Sequence, residues 1–186
     1  MKWSKTIERH DLTKLIFIIL FGIAFGFVEA AVVYYLRDLM NFHFNYMIPS
    51  HKILLNLGLI TFISPVYHLL ISKSVTAVEI AREVATIVML IALAYLAGKN
   101  RSQRIGAFLI SFACWDIMYY VFLKILTNWP SSLLTRDIFF LVPVTWIGPV
   151  ITPLVASTIM LIIGIRLYLY PMTSLTFKNI FWHIKK

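Results

Sequence analysis

Glu29, Arg82, Glu83 and Asp116 lie inside segments that otherwise read as lipid-spanning helices, and no other residues of the chain have as much capacity for chemistry. An ionisable group at membrane depth costs about 2.5–3.5 kcal/mol even on lenient insertion scales, so it faces a partner or a cavity. Three deep carboxylates against one deep arginine leave an acid surplus. That surplus must be protonated, matched from the rim by Lys124 or Arg37, or neutralised by a bound cation.

Three chemistries suit this set. Arg82 paired with one or two carboxylates would fix helix register, a role in which buried ion pairs specify more than they stabilise. Carboxylates from neighbouring helices, Glu29, Glu83 and Asp116, joined by His68, would suit a hard or borderline metal ion. Against a di-iron centre, no span carries Glu-x-x-His. A carboxylate and an arginine beside Tyr119, Tyr120 and Trp115 would suit a quinone headgroup or a proton relay. Haem is disfavoured, because His68 is the one histidine near a span and has no counterpart at similar depth. There is no GxSxG, no HExxH and no nucleotide-binding motif. No cofactor is firmly implied, and whether the chain is an enzyme stays open.

The elements that carry these residues follow from composition. The 186 residues are 60% hydrophobic and 13% charged, far from the roughly 45–50% apolar and 25% charged balance of soluble domains. The sequence therefore predicts an all-α, polytopic integral membrane bundle forming a single domain. Four segments are long enough to cross about 30 Å of hydrocarbon: 15–36, 77–97, 105–126 and 145–170. A fifth, 53–71, has the length but carries Asn56, Ser64, Pro65 and His68. It reads as an interfacial helix at the outer face, with a fifth crossing as the alternative. The first apolar stretch exceeds the roughly 7–15 residues of a signal-peptide core and reads as a retained span. The proline-rich region from Trp129 to Pro153 reads as a re-entrant or surface helix over 131–143 that caps the polar cluster, followed by a proline-initiated fourth span.

The net charge of +9 invites a nucleic-acid reading, but the basic residues cluster beside apolar segments. Four crossings with a cytoplasmic N-terminus put eleven Lys and Arg on the cytoplasmic side and five outside, with Arg82 within the membrane. That split obeys the positive-inside rule and places both termini in the cytoplasm, as in a bacterial-type plasma membrane. The partners implied are the bilayer and other membrane subunits, not nucleic acid. Residues 175–186 read as an amphipathic foot, and Trp3 and Trp182 suit the headgroup layer. Cys114 is the only cysteine, which excludes an intrachain disulfide and a dithiol redox pair.

Spacing gives the faces. Gly22-x3-Gly26-x3-Ala30 is a small-residue stripe that permits close helix approach, and Glu29, three residues after Gly26, shares it. Gly148-x3-Thr152-x3-Ala156 reads the same way in the fourth span. Glu79, Arg82, Glu83 and Thr86 form one stripe, as do Asp116, Tyr119, Tyr120 and Lys124. The opposite side of the second span presents Ala81, Ala85 and Ala92. With no aqueous domain and no recognisable cofactor motif, the sequence favours an accessory subunit of a larger membrane complex. The alternative is a small membrane enzyme or carrier that uses the acidic cluster for a metal ion, protons or a quinone.

Overall fold

The computed structural model describes residues 9–40, 53–63 and 73–171. Among these, four helices are long and apolar enough to cross a membrane: α1 (Arg9–Met40), α2 (Lys73–Ala97), α3 (Arg101–Thr127) and α4 (Ile151–Leu169). The chain is mostly helical. It is not all-α, however. A four-stranded antiparallel sheet of β1 (Ile53–Asn56), β2 (Thr61–Ile63), β3 (Arg136–Phe140) and β4 (Thr145–Pro149) is also present, in the order β1-β2-β4-β3.

The sheet corrects three expectations. Residues 53–63 form a hairpin instead of the start of an interfacial or fifth spanning helix. Its turn is made by Gly58 at φ +81°, whose N–H donates to the Asn56 side chain at 2.9 Å. Glycine reaches that left-handed conformation without penalty. Residues 136–140 are strand and not part of a re-entrant helix. The fourth span begins at Ile151, because 145–149 pairs with both β2 and β3. The Ile, Thr, Phe and Trp residues of these stretches suit a pleated sheet, and the Phe62 and Trp146 rings meet across the β2–β4 pair at 5.0 Å. His68, Trp3, Trp182 and the 175–186 foot lie outside the described residues.

Helix α3 is the hub of the bundle. Its Ala107, Ile110, Ala113 and Leu123 are fully buried, and α1, α2 and α4 all pack against it while α1 and α2 scarcely touch. Its ends are well defined: the Asn100 side chain accepts the Gln103 N–H at 3.0 Å, and Asn128 closes the helix in the left-handed conformation.

Close approach uses glycine where the spacing requires it for α1. A Cβ on Gly22 would lie 2.6 Å from the Cβ of Cys114, and one on Gly26 would lie 2.8 Å from the Trp115 carbonyl oxygen. The α3–α4 contact rests instead on Gly106 and Gly164, each facing the other's carbonyl oxygen. The expected Gly148–Thr152–Ala156 stripe is not that face, since Gly148 belongs to β4 and Ala156 is exposed. A core of Ile18, Ala94, Ala107, Ile110, Cys114 and Tyr168 joins all four helices near one end of the bundle. A smaller core of Ile63, Leu141 and Ile147, with Ile80 and Ile138 packed against it, seats the sheet on the opposite end.

Candidate functional site

Beneath the sheet lies a cavity of about 120 Å³. The late turns of α1, the early turns of α2, the second half of α3 and the β3 segment line it. Because α1 and α2 each pack on α3 but hardly on each other, a gap remains between them at this end. Their polar stripes face that gap.

Arg82 bridges it. Its Nη1 donates to Glu29 Oε1 of α1, while Nε and Nη2 donate to Glu79 Oε2 of α2 at 2.9 and 2.6 Å. The i, i+3 spacing of Glu79 and Arg82 lets one turn of helix supply both partners. A guanidinium offers five N–H donors in a fixed fork, and here two carboxylates occupy three of them. Glu29 and Glu79 are both buried, so each would be costly without this arginine.

The other acids are held differently. Glu83 accepts the Leu141 backbone N–H at 2.9 and 3.1 Å, and so fastens the end of the β3 segment to α2. Asp116 Oδ2 accepts the Ser157 hydroxyl of α4 at 2.7 Å. Asp137, buried in β3, accepts from the Tyr120 hydroxyl at 2.9 Å. Burial pushes the Asp137 carboxyl up to about 6, against the lowering effect of the Tyr120 hydrogen bond and the Arg37 charge. Aromatic rings form much of the wall. Trp115 packs on Phe112 and Phe140, and Tyr119 on Tyr120. At the rim the Arg37 guanidinium lies 4.2 Å from the centroid of the Trp129 ring.

The structure thus brings Glu29, Glu79, Arg82, Glu83, Asp116, Tyr119 and Tyr120 to one cavity. Lys124 does not join them. Its Nζ donates to the carbonyl oxygens of Asn128 and Pro130, both at 3.0 Å, and so closes the end of α3. Among the described residues, no three His, Cys, Asp or Glu side chains are grouped so as to hold a metal ion. His68, the remaining expected ligand, lies outside those residues.

Two contributors escape a reading by span. Asp137 sits in a segment that hydropathy assigns to a cap, and its signal is a single acid followed by Ile138, Phe139 and Phe140. Ser157 has no signal at all, because a serine in an apolar helix commonly bonds its own backbone. No protein-family model matches this chain, and no match was found among curated proteins or solved structures.

Proposed function

We propose that this chain is a small membrane-embedded carrier or enzyme that binds a small ligand in the cavity beneath the sheet. One observation carries the reading. Four elements, α1, α2, α3 and β3, place five carboxylates and two guanidinium groups around an open volume, where helix register alone requires one ion pair. Buried polar groups around a void large enough for several waters are what a ligand site looks like before it is filled. With both termini cytoplasmic, as the basic residues imply, the cavity lies toward the non-cytoplasmic face of the membrane.

Purification in mild detergent followed by intact-mass analysis tests this. The reading expects an isolated protein that retains a small non-protein molecule, lost in Asp116→Asn and Glu29→Gln variants that still fold. A protein isolated only with stoichiometric partner subunits, and with nothing in the cavity, would overturn it.

A specific observation also supports the accessory-subunit reading. Ala81, Ala85 and Ala92 of α2 are exposed, beside exposed Val78, Val84 and Val88. Small residues on an outer face allow a further helix to pack closely. Site-specific photocrosslinking from Ala85 reports on this directly: a discrete protein adduct supports the subunit, and lipid adducts alone remove its basis.

A further inference from the structure

We propose that the β1–β2 hairpin is a membrane-surface anchor, with residues 53–59 seated among the headgroups and upper acyl chains of the leaflet at the sheet's end of the bundle. The inference rests on reading the four long helices as spans and needs no ligand in the cavity.

Side-chain exposure is the first argument, because the two strands of the hairpin differ. On β2, Thr61 and Ile63 are buried, and Phe62 packs on Trp146 of β4. On β1 all four residues are exposed, so neither face of that strand is covered. Leu54 and Leu55 are 59% and 51% exposed, and Leu57 and Leu59 in the turn are 61% and 64% exposed. Edge strands that meet water are commonly blunted by charged side chains, proline or a bulge. Residues 53–63 carry no charge and no proline, only a register shift between Ile53 and Leu55. Contiguous apolar surface of this kind marks a contact with protein or membrane.

The turn supplies an independent observation. Its polar groups bond one another: Asn56 Oδ1 accepts the Gly58 N–H at 2.9 Å and the Thr61 hydroxyl at 3.5 Å, and the Leu57 N–H donates to the Ile60 carbonyl at 2.9 Å. Water would satisfy these groups at an ordinary hairpin tip, whereas apolar surroundings demand internal partners. This tip turns its leucines outward and its polar groups inward. Yet β1 ends the sheet, and its outer N–H and C=O groups require water or headgroups. Both demands are met at the membrane interface, where apolar side chains dip about 5–10 Å toward the acyl chains.

The same exposures favour lipid over protein. A second copy paired edge to edge with β1 would satisfy its backbone and leave both faces of the strand uncovered. A docked protein would cover one face. Lipid covers both faces and the turn, and it is continuous with the apolar outer surface of the helices, where Val78, Tyr95 and Ile162 are exposed. Through the β2–β4 pairs, the anchor holds the sheet at the membrane surface.

Spin labels on single cysteines in a Cys114→Ala background test this in the full chain, reconstituted into phosphatidylcholine vesicles. Labels replace Leu55, Leu57 and Leu59, with Ile162 as the lipid reference and Arg101 as the water reference. All five side chains are exposed, so the labels displace no core. Collision with oxygen, which concentrates in lipid, is compared with collision with a nickel chelate, which stays in water. The expected oxygen-to-nickel ratio at the three hairpin sites is several-fold above that at Arg101 and below that at Ile162. A ratio equal to that at Arg101 would place the hairpin in water and overturn the proposal. Shielding of any hairpin site from both reagents would mean that a protein surface or a second copy covers it, and would overturn the proposal equally. A ratio at Ile162 as low as that at Arg101 would remove the span reading itself, and the anchor with it.

Discussion

Tyr120 on α3 donates to Asp137 on β3 at 2.9 Å, and both residues are buried, so one hydrogen bond ties the floor of the cavity to its roof. Glu83 makes the second tie through the Leu141 amide. Two carboxylates thereby fasten the sheet to the helices, beside the apolar contact of Ile63, Leu141 and Ile147 with Ile80.

The Asp137 tie carries a pH dependence. Burial lifts this carboxyl from its ordinary 3.8 to about 6, so between about pH 4 and 6 the folded protein keeps a proton that the unfolded chain has released. Its contribution to stability therefore falls as pH rises through that window and stays level above it. Asp137→Asn keeps an oxygen that can accept from Tyr120. It is expected to remove the slope and to stabilise the protein at pH 7 by up to about 3 kcal/mol. Melting curves of parent and variant from pH 4 to 8 should converge at the acid end, separate between about pH 4 and 6 and stay evenly apart above that. Parallel curves at all pH values would contradict the assignment.

Arg82 is the residue whose loss should cost most. Arg82→Leu leaves Glu29 and Glu79 buried without a counter-charge, and stranding a buried charge costs about 3–5 kcal/mol. Glu29→Gln and Glu79→Gln retain an acceptor oxygen and are expected to cost well under half of that. Thermal unfolding in detergent gives the order. If the two glutamine variants melt as low as Arg82→Leu, the arginine is not the centre of this network.

Packing gives a sharper test than hydropathy. A side chain on Gly26 meets the backbone of Trp115 and Tyr119, and one on Gly106 meets the backbone of Gly164 and Tyr168. Backbone cannot rotate away as a side chain can. Gly26→Leu should separate α1 from α3 and Gly106→Leu should separate α3 from α4, each costing more than about 2 kcal/mol. Gly58→Ala is a useful contrast: it pays for a left-handed φ but meets nothing within 4 Å, so its cost should stay near 1 kcal/mol. Equal losses from all three would show that space is not what these helix glycines provide.

The membrane orientation can be read with two cysteines introduced into a Cys114→Ala background. Arg101 and Ser132 are both exposed, at opposite ends of α3. Ser102, the neighbouring position, is buried at 1% and would label poorly. Impermeant thiol reagents should label Ser132→Cys from outside the cell and Arg101→Cys only after permeabilisation. The reverse pattern would turn the cavity toward the cytoplasm.

How much of this was legible depends on which physical signal each element leaves. The four helices long and apolar enough to cross a membrane follow from length and apolarity, and the close-packed face of α1 follows from Gly22 and Gly26 at four-residue spacing. The α2 stripe of Glu79, Arg82, Glu83 and Thr86 follows from helical geometry once the helix is assumed. The sheet does not follow, because both faces of its strands are largely apolar and the alternation that betrays a strand is lost. Thr145–Pro149 runs without a charge into the apolar stretch Ile151–Leu169, and only its β-branched and aromatic content sets it apart. The turn at Asn56-Leu57-Gly58 stands among leucines whose apolarity reads as helix. Lys124 shares a helical face with Asp116 on paper, but it lies at the end of α3, where unpaired carbonyl oxygens claim its ammonium first.

The bridge between Glu29 and Arg82 spans 53 residues of sequence. At about 5–20 residues per second, the ribosome needs about 3–10 s to deliver the arginine after the glutamate has emerged. For that interval Glu29 lacks the arginine that pairs with it in the folded chain. Neither helix is therefore expected to leave the insertion machinery alone. The two should leave it together, and truncating the nascent chain between residues 40 and 73 should hold α1 at the translocation site, whereas Glu29→Gln should release it.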